Sequence, residues 1–390
     1  MTSKERVKRA FEHKCPDRVP IGELAIHSPT ASKVLGRDAY TGEGGKVKRI
    51  SRSMMSEGQR KEFLDKYARD TIDIYCQLDI DMIPVELNVS EYSSVEYRDI
   101  TESGWVEYDT KRDIWTKWKV EKELDVAFEM ESSFSVDGIE TVRSYVEKLE
   151  SEKEYIDDSI FYVLEKVLDE IGKEKFILAK IPNLFPVGTS WFMTFMELIY
   201  DDPELTKRLL LQFQLRAEAV AERFCQMDGV DALLNGGDWA FNDGPFLSPQ
   251  CVEELLVPQV KAVTKICHEH GRFFVKHTDG NIMPIVDLFL TGMGIDCFQS
   301  VQRRAGMDLA FLREKYGDKV TLMGNVDCGL VLQFGTEEEI MEDTKRSIEE
   351  GGRDGGFILS SDNSIYSAIP PENYLTMLKA AKKYGNYTRK

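Results

Sequence analysis

The sequence predicts an α/β fold of the (β/α)8 barrel class, and three observations support this prediction. Eight short apolar runs each end in a cluster of polar residues, and helical segments separate most of the runs. Such strand–helix alternation is typical of a parallel sheet with crossover helices. Eight units in one domain, residues 1–390, favour a closed barrel over an open sheet.

The eight runs are the predicted barrel strands. They cover residues 19–24, 80–85, 176–181, 232–235, 273–276, 295–298, 320–323 and 357–360. A doubly wound open sheet is the alternative arrangement. It would require a Gly-rich phosphate loop after the first strand, and neither GxGxxG nor GxxxxGK[ST] occurs in the sequence.

The segments between the runs predict helices and one insertion. Thr2 or Ser3 can cap a first helix that ends before Pro16, and longer helical regions are predicted over residues 191–227 and 248–270. Residues 94–120 differ, because short stretches there alternate apolar and polar residues between turns. This pattern predicts a small antiparallel β-meander inserted into the main fold.

Composition excludes several classes of partner. The net charge of −18 makes nucleic acid and anionic membranes poor partners. The basic N-terminus has no apolar core of a signal peptide, and the longest apolar runs are too short to span a bilayer. Seven scattered cysteines without a CxxC pair are typical of a reducing compartment, so we expect a cytoplasmic protein.

The stretch FFVKHTDGN, residues 273–281, holds the strongest candidate site. An apolar strand ends there in titratable side chains on a Gly-containing turn. His277 and Asp279 are two residues apart, so in extended backbone both side chains point to the same side. This pair can bind a metal or act as an acid and base. A plain hydrogen bond between them, without any chemistry, is the alternative interpretation.

The other runs also end in polar residues, and in a barrel all of these ends lie on one face. This face would be rich in carboxylates and amides, which suits a divalent metal or a substrate with many hydrogen-bond donors. The candidates are Glu23, His27, Glu86, Asn88, Asn183, Asp238, His277, Asp279, Gln299, Asn325 and Asn363.

Several longer stretches, taken together, resemble one known family. They are TSKERVKRAFEHKCPDRVPI at the start, GGDWAFNDGPFLSP (236–249), KHTDGN (276–281), GMGIDCFQSVQRRAGMDL (292–309), MGNVDCGLVLQFGT (323–336), GGFILSSDNSI and PPENYLTMLKAAKKYG. By these stretches the chain is identified as a member of the uroporphyrinogen decarboxylase superfamily. The resemblance implies a (β/α)8 barrel, in agreement with the count of apolar runs.

The superfamily contains two well-known chemistries, and one segment argues against the first. Uroporphyrinogen decarboxylases carry an Arg-containing segment after the first strand that binds the carboxylates of the tetrapyrrole. The corresponding stretch here is GELAIHSPTASK, residues 22–33, which contains no Arg. A face rich in carboxylates and poor in Arg is unsuited to a substrate with eight carboxylates.

The other branch comprises corrinoid-dependent methyltransferases similar to methylcobalamin:coenzyme M methyltransferase. Its coenzyme M members bind zinc through an HxC motif after the fifth strand and a Cys after the eighth. This chain has His277 but carries Asp279 and Asn363 at the two Cys positions, and Cys328 is not the matching residue. The resemblance thus implies a harder zinc site of His277 and Asp279 for an oxygen or nitrogen substrate, completed from elsewhere on the rim.

The leading hypothesis is therefore a methyltransferase assisted by zinc. It would move a methyl group between a small O- or N-methylated compound and the corrinoid of a partner protein, because the chain lacks a DxHxxG corrinoid-binding motif. His277, Asp279 and Glu86 would be catalytic, His277 and Asp279 would bind the metal, and the remaining candidates would contact substrate. The alternatives are a cofactor-free decarboxylase, in which Glu86 stabilises positive charge, and a ligand-binding barrel without catalysis.

Overall fold

The computed structural model describes residues 1–152 and 156–387, so residues 153–155 and 388–390 of the predicted domain lie outside the described ranges. A seven-stranded, all-parallel sheet forms its centre, with the strand order β1-β6-β7-β10-β11-β12-β13. The strands in chain order are β1 (Met82–Val85), β2 (Val95–Thr101), β3 (Gly104–Asp109), β4 (Ile114–Glu121), β5 (Val126–Ser132), β6 (Phe176–Ile181), β7 (Val230–Asn235), β8 (Ala240–Phe241), β9 (Gly244–Pro245), β10 (Phe273–His277), β11 (Cys297–Gln299), β12 (Thr321–Val326) and β13 (Phe357–Ser361).

Helices follow most strands of the central sheet, as the alternation of patterns predicts. They are α1 (Ser3–Phe11), α2 (Ser28–Leu35), α3 (Gly45–Ser56), α4 (Arg60–Gln77), α5 (Ser133–Asp137), α6 (Ile139–Ser151), α7 (Tyr162–Ile171), α8 (Phe192–Asp201), α9 (Pro203–Gln226), α10 (Pro249–Cys251), α11 (Val257–Glu269), α12 (Val286–Leu290), α13 (Leu309–Tyr316), α14 (Val331–Phe334), α15 (Glu337–Gly351) and α16 (Pro371–Tyr384). None of the described helices combines the length and the apolar character that a bilayer crossing requires.

Two predicted helical regions are interrupted. The region 191–227 forms α8 and α9, because Asp202 caps a new helix whose first residue is Pro203. The region 248–270 contains a π-helical turn, Val252–Leu256, between α10 and α11. The predicted first helix is confirmed, and Thr2 and Glu5 form a reciprocal capping box at its start.

Seven of the eight predicted runs are strands of the central sheet, and the prediction of a regular first strand is wrong. Ile21 makes only an isolated parallel bridge to Leu359 of β13. Pro20 has no N–H to donate, so a continuous ladder cannot form there. The segment nevertheless joins both edges of the sheet: Gly22 N donates to Leu359 O at 3.0 Å, and Ile21 O accepts from Asp81 N, next to β1, at 2.9 Å.

An apolar core lies on the concave side of the central sheet, and α1 packs against its amino-terminal end. Phe11 of α1 stacks on Phe176 and Phe273, with ring centroids 5.3 and 4.6 Å apart. The core consists of side chains from all seven strands and α1: Val7, Ala10, Phe11, Met82, Phe176, Leu178, Ala232, Leu234, Val275, Cys297, Met323 and Ile358. Because all seven strands contribute side chains to this single cluster, the sheet curls around it.

Asp81, at the start of β1, connects the N-terminal segments to the sheet. Its carboxylate is fully buried and accepts from Arg6 Nη1 and Arg18 Nη1, both at 2.7 Å, and from Ser3 Oγ at 2.8 Å. The backbone N–H of Ile21 donates to the same carboxylate at 2.9 Å. These contacts hold α1 and the first segment at the amino-terminal end of the sheet.

The antiparallel sheet is longer than the predicted insertion at 94–120. It has the order β2-β3-β4-β5 and extends to Ser132, because residues 126–132 also alternate. Its last strand and the turn before that strand lie near loops that follow the central strands: Ser190 N donates to Glu129 Oε2 at 3.1 Å, and Ser367 Oγ donates to Glu123 O at 3.2 Å. The antiparallel sheet therefore lies beside the carboxyl-terminal end of the central sheet.

We expect Asp81→Asn to destabilise the protein by about 3–5 kcal/mol, because the buried guanidinium of Arg6 and the partly buried guanidinium of Arg18 lose their shared counter-charge. Equilibrium urea unfolding measures the change. Asp79→Asn is the control, since Asp79 is 55% exposed and lies 3.4 Å from Lys382; it should change the free energy of unfolding by less than about 1 kcal/mol. Equal effects of the two substitutions would show that the Asp81 contacts carry no special stability.

Candidate functional site

Two neighbouring parallel strands, β7 and β10, position the residues of the candidate site. Lys276 of β10 pairs in register with Asn235 of β7, so the loops after these strands lie side by side. Gly280 allows this approach, because a Cβ there would lie 2.3 Å from Ala240 O and its φ is +86°. The strand end at His277 therefore faces the loop that carries Asp238.

Asp238, His277 and Asp279 form one cluster, in which one ligand atom from each residue lies within 4.8 Å of the others. His277 Nε2 lies 3.4 Å from Asp238 Oδ1 and 3.9 Å from Asp279 Oδ1. The backbone N–H of Asp279 donates to Asp238 Oδ1 at 2.8 Å. The structure thus brings the predicted pair together with a third predicted residue. The described residues form this one group with metal-binding geometry.

The orientation of His277 leaves Nε2 facing the two carboxylates. Its Nδ1 contacts the amide oxygen of Gln299, which is a neighbouring strand-end residue on β11. An amide oxygen only accepts hydrogen bonds, so Nδ1 donates and a neutral imidazole has its lone pair on Nε2. Gln299 is buried and donates to Ser361 O at 3.4 Å. A partner that fixes the tautomer in this way is typical of metal-binding histidines.

Asp279 has one oxygen engaged and one free. Asn363 Nδ2 donates to its Oδ2, whereas within the described residues its buried Oδ1 has no hydrogen-bond partner. Burial raises the pKa of Asp279, against the charge of His277 and together with that of Asp238. A buried carboxylate oxygen without a partner is unfavourable unless a cation or proton satisfies it. Oδ1 of Asp279 is therefore suited to bind a metal ion.

The two carboxylates of the cluster already stabilise a positive charge on the imidazole of His277. Burial acts to lower the pKa of His277, but the carboxylates of Asp279 and Asp238 outweigh it and the pKa is raised. For Asp238, burial acts in the opposite direction to the hydrogen bond and charge of His277, which win and lower its pKa to about 2. Two carboxylates around one imidazole therefore favour a cation at this position.

Lys276 fixes the loop that carries Asp238. Its buried ammonium donates to Gly236 O at 2.8 Å, Gly237 O at 3.0 Å and His277 O at 2.6 Å. Burial lowers its pKa to about 7. The sequence shows a lysine at this position, but only the structure shows that its ammonium group binds backbone carbonyls.

Glu86 belongs to a second polar group. Lys180 Nζ lies 3.1 Å from Glu86 Oε1 and also contacts Glu43. Burial, reinforced by the charge of Glu43, raises the pKa of Glu86 to about 8. Sequence analysis missed Glu43, which lies in an irregular loop before α3 and carries no pattern that marks it as functional.

Glu23 and His27 are buried but lie outside the Asp238–His277–Asp279 cluster. Glu23 accepts from Ser361 N at 3.1 Å and Ser361 Oγ at 2.7 Å, and burial raises its pKa to about 8. His27 Nδ1 lies 4.0 Å from Asp125 Oδ2, and burial lowers the pKa of the imidazole to about 4. Neither residue lies in the group that could hold a metal ion, whereas Asp238 is a member of it.

The predicted amides differ in their surroundings. Asn88 donates to Ser159 O at 2.7 Å and accepts from Val163 N at 3.1 Å. Buried Asn325 donates to Val301 O at 2.9 Å, and its Oδ1 accepts from α15. Both side chains thus bind the protein itself and have little capacity left for substrate. Asn183 is exposed beside Gly237, in the loop to Asp238.

Comparisons with known proteins agree on the family. The sequence profile described as "Uroporphyrinogen decarboxylase (URO-D)" matches residues 187–384. Among curated proteins, the uroporphyrinogen decarboxylase of Trichodesmium erythraeum is 25% identical over 49% of this chain and 51% of its own length. The chloroplastic enzyme of Nicotiana tabacum is 26% identical over 49% of this chain and 46% of its own. The matches span about half the length of these relatives.

A solved structure extends the likeness to nearly the whole chain. A methyltransferase from Methanosarcina mazei has a TM-score of 0.68 and 15% identity, covering 98% of this chain and 99% of its own. At this identity the match shows the fold alone. The profile covers more than half of the chain and includes the Asp238–His277–Asp279 cluster, so the protein belongs to the uroporphyrinogen decarboxylase (URO-D) family.

Proposed function

We propose that the protein is a corrinoid-dependent methyltransferase that acts with zinc at the Asp238–His277–Asp279 cluster. It moves a methyl group between a small O- or N-methylated compound and a partner corrinoid protein. The observation that carries the proposal is the cluster itself, in which Nε2 of His277 faces both carboxylates and, within the described residues, the buried Oδ1 of Asp279 has no hydrogen-bond partner. Imidazole and carboxylate ligands suit zinc, and three protein ligands leave a position for substrate.

The residues of this chain have distinct roles in the proposal. His277 and Asp279 would hold the metal, with Asp238 as the third ligand, and a bound zinc ion supplies Lewis-acid polarisation of the heteroatom that carries the methyl group. Gln299 fixes the imidazole ring, and Asn363 fixes the carboxylate of Asp279. Glu86, which pairs with Lys180 outside the cluster, would be a further catalytic residue. Ligands oriented in this way would hold the substrate so that its methyl group is in line with the attacking cobalt of the corrinoid.

The fold supports the proposal. The Methanosarcina protein, called a methyltransferase, matches over almost its entire length. The curated decarboxylases match over about half of theirs. We further propose that the segment around Ile21, bonded to both β1 and β13, is the eighth unit of a closed (β/α)8 barrel.

The curated decarboxylases that match this chain favour the decarboxylase alternative, but two features count against it. The first is the raised pKa of Glu86, because a carboxyl group that retains its proton does not stabilise positive charge. Residues 22–33 contain no Arg to bind a polycarboxylate, and the candidate site is lined by carboxylates. Binding eight substrate carboxylates would need fixed cations on this face. The carboxylates of the site also disfavour anionic ligands. A ligand-binding barrel without catalysis would therefore bind neutral or cationic molecules.

The partner and the compartment follow from the same proposal. Without a DxHxxG motif, the corrinoid would be carried by a separate protein that docks at the face formed by the strand ends. All seven cysteines are free, which supports a reducing compartment, and we place the protein in the cytoplasm.

We predict that His277→Ala loses zinc. Protein reconstituted with zinc and dialysed should contain about one ion per chain, and the substitution should weaken binding more than about hundredfold because it removes a ligand. Gln299→Ala, which removes only the ring's orienting partner, should weaken binding about 10–100-fold. Metal content and competition with a chromophoric chelator measure these changes.

His268→Ala is the matched control. His268 also pairs with a carboxylate, Asp296, at 2.9 Å, but it lies on α11 away from the cluster and is 46% exposed. Its zinc binding should equal that of the unchanged protein. Retention of zinc by His277→Ala would remove His277 from the site and with it the basis of the proposed function.

We expect no turnover of uroporphyrinogen, because the Arg-bearing segment is absent. Fluorescence of oxidised coproporphyrin measures this reaction, with an authentic decarboxylase as the positive control. In parallel, methylation of a Co(I) corrinoid, followed by its absorbance, should be observed with a compound from a panel of methyl ethers and methylamines. Decarboxylation at ordinary enzymatic rates, typically 1–10³ s⁻¹, would refute the proposal in favour of the alternative.

A further inference from the structure

Glu23 lies in the segment around Ile21 that bonds to β1 and β13, and the roles proposed above for the metal site do not use its carboxyl group. None of its surface is exposed. It is hydrogen-bonded to Ser361, the last residue of β13: Ser361 N donates to Glu23 Oε1 at 3.1 Å, and Glu23 Oε2 lies 2.7 Å from Ser361 Oγ. Any influence of this carboxyl group on the site must therefore pass through neighbouring residues.

Ser361 contacts both residues that orient the proposed metal ligands. Its backbone carbonyl accepts from Gln299 Nε2 at 3.4 Å, and Gln299 fixes the imidazole of His277. Its hydroxyl lies 2.9 Å from the backbone oxygen of Asn363, whose side chain donates to Asp279. Two lines of contact thus run from Ser361 to the cluster, one to the imidazole and one to a carboxylate.

The contacts around Ser361 Oγ require one proton more than a serine side chain supplies. This oxygen lies within hydrogen-bond distance of two acceptors, Glu23 Oε2 and Asn363 O, but a hydroxyl group has one proton to donate. If Glu23 were ionised, one of the two contacts would join oxygen atoms with no proton between them. If Glu23 is protonated, it donates to Ser361 Oγ and the hydroxyl donates to Asn363 O, so both contacts are hydrogen bonds.

The surroundings of Glu23 also disfavour a negative charge there. Burial, together with the charge of Asp362, raises its pKa to about 8 against the hydrogen bonds that it accepts. The hydroxyls of Tyr75 on α4 and Tyr374 on α16 also face it, and burial raises the pKa of both well above the ordinary value, so both stay neutral. A carboxylate buried near another carboxylate is unfavourable, and a proton removes its charge.

We propose that Glu23 retains a proton at neutral pH and positions, through Ser361, the two residues that orient His277 and Asp279. The inference rests on the proposed function, in which these two residues bind zinc, and deepens it by adding a positioning residue to the same site. Partners that orient metal ligands typically change metal affinity about 10–100-fold when they are lost. The proton and the positioning role can be tested separately.

The pH dependence of stability tests the proton on metal-free, full-length protein. The folded protein retains the proton of Glu23 up to about pH 8, whereas the unfolded chain releases it near the ordinary pKa of 4.5. The stability that this group contributes is therefore complete below pH 4.5 and declines as the pH rises to about 8. The unfolding constant of the unchanged protein, divided by that of Glu23→Gln or Glu23→Leu, should rise about tenfold per pH unit between about pH 5 and pH 7.5.

Glu337→Gln is the control for this profile. Glu337 is 59% exposed and pairs with Lys379 at 2.8 Å, and the hydrogen bond to Lys379 lowers its pKa. Its ratio should stay constant over the same range, with urea unfolding followed by circular dichroism at each pH. Both neutral variants of Glu23 lack the titrating group, so either one that folds is sufficient. A constant ratio for the Glu23 variants would overturn the inference, because Glu23 would then be ionised in the folded protein.

Zinc affinity, measured by competition with a chromophoric chelator, tests the positioning role. Glu23→Gln can still donate to Ser361 Oγ and should bind zinc within about threefold of the unchanged protein. Glu23→Leu cannot, and should bind zinc at least about tenfold more weakly. Ser361→Ala should cause a similar loss, and combining it with Glu23→Leu should add less than about threefold, because both act through one hydroxyl. Ser347→Ala, which removes a buried hydroxyl on α15, should leave zinc affinity unchanged.

The outcomes separate this inference from the proposed function. Zinc affinity that Glu23→Leu leaves unchanged would overturn the positioning role, as would equal losses in Glu23→Gln and Glu23→Leu. A protein that binds no zinc but shows the expected rise of the unfolding ratio would refute the proposed function and support the proton on Glu23. The expected zinc pattern, in a protein that transfers no methyl group to a Co(I) corrinoid, would support the inference and refute the methyltransferase.

Discussion

The structure depends on the pairing of one buried carboxylate, that of Asp81. A fully buried charge is tolerated only when hydrogen-bonded partners replace water, and here two guanidinium groups, a hydroxyl and a backbone N–H do so. Those partners come from α1 and from the segment that follows it, so the carboxylate holds both against β1. The same segment bonds to β13. The two edge strands of the central sheet are thereby connected, and the sheet retains its curl around the core that Phe11 completes.

The curled sheet determines which side chains meet at its other end. All seven central strands run in parallel, so the polar residues that follow them lie on one side. Asp238 comes after β7, His277 ends β10, Gln299 ends β11 and Asn363 follows β13, and each contacts another member of the cluster or its immediate support. The ends of four neighbouring strands thus bring one imidazole and two carboxylates together. Loops that lay far apart could not do so.

Local patterns predicted the parts of this site that depend on local sequence. Apolar runs located the seven strands, and the spacing of His277 and Asp279 predicted their proximity because it depends only on extended backbone. The first run failed because its Pro20 interrupts a ladder that its apolar residues favour. Asn325 and Asn88 looked equivalent to Asp238 in the sequence, since each follows or lies within a strand end. Only tertiary structure shows that their amides bind the protein, and only tertiary structure brings Glu43 from an irregular loop to Lys180.

Charge distinguishes the two polar groups at the strand ends and explains why a metal fits one of them. The sequence predicts Glu86 as a catalytic carboxylate at a strand end, but Lys180 already lies between Glu86 and Glu43 and provides a permanent cation. A divalent ion there would be repelled by that ammonium. Around His277, a proton on the imidazole balances the carboxylates and can be released, whereas the nearby ammonium of Lys276 is directed to backbone carbonyls. A metal can replace that proton at Nε2, so the Asp238–His277–Asp279 cluster suits a metal better than the Glu43–Lys180–Glu86 group does.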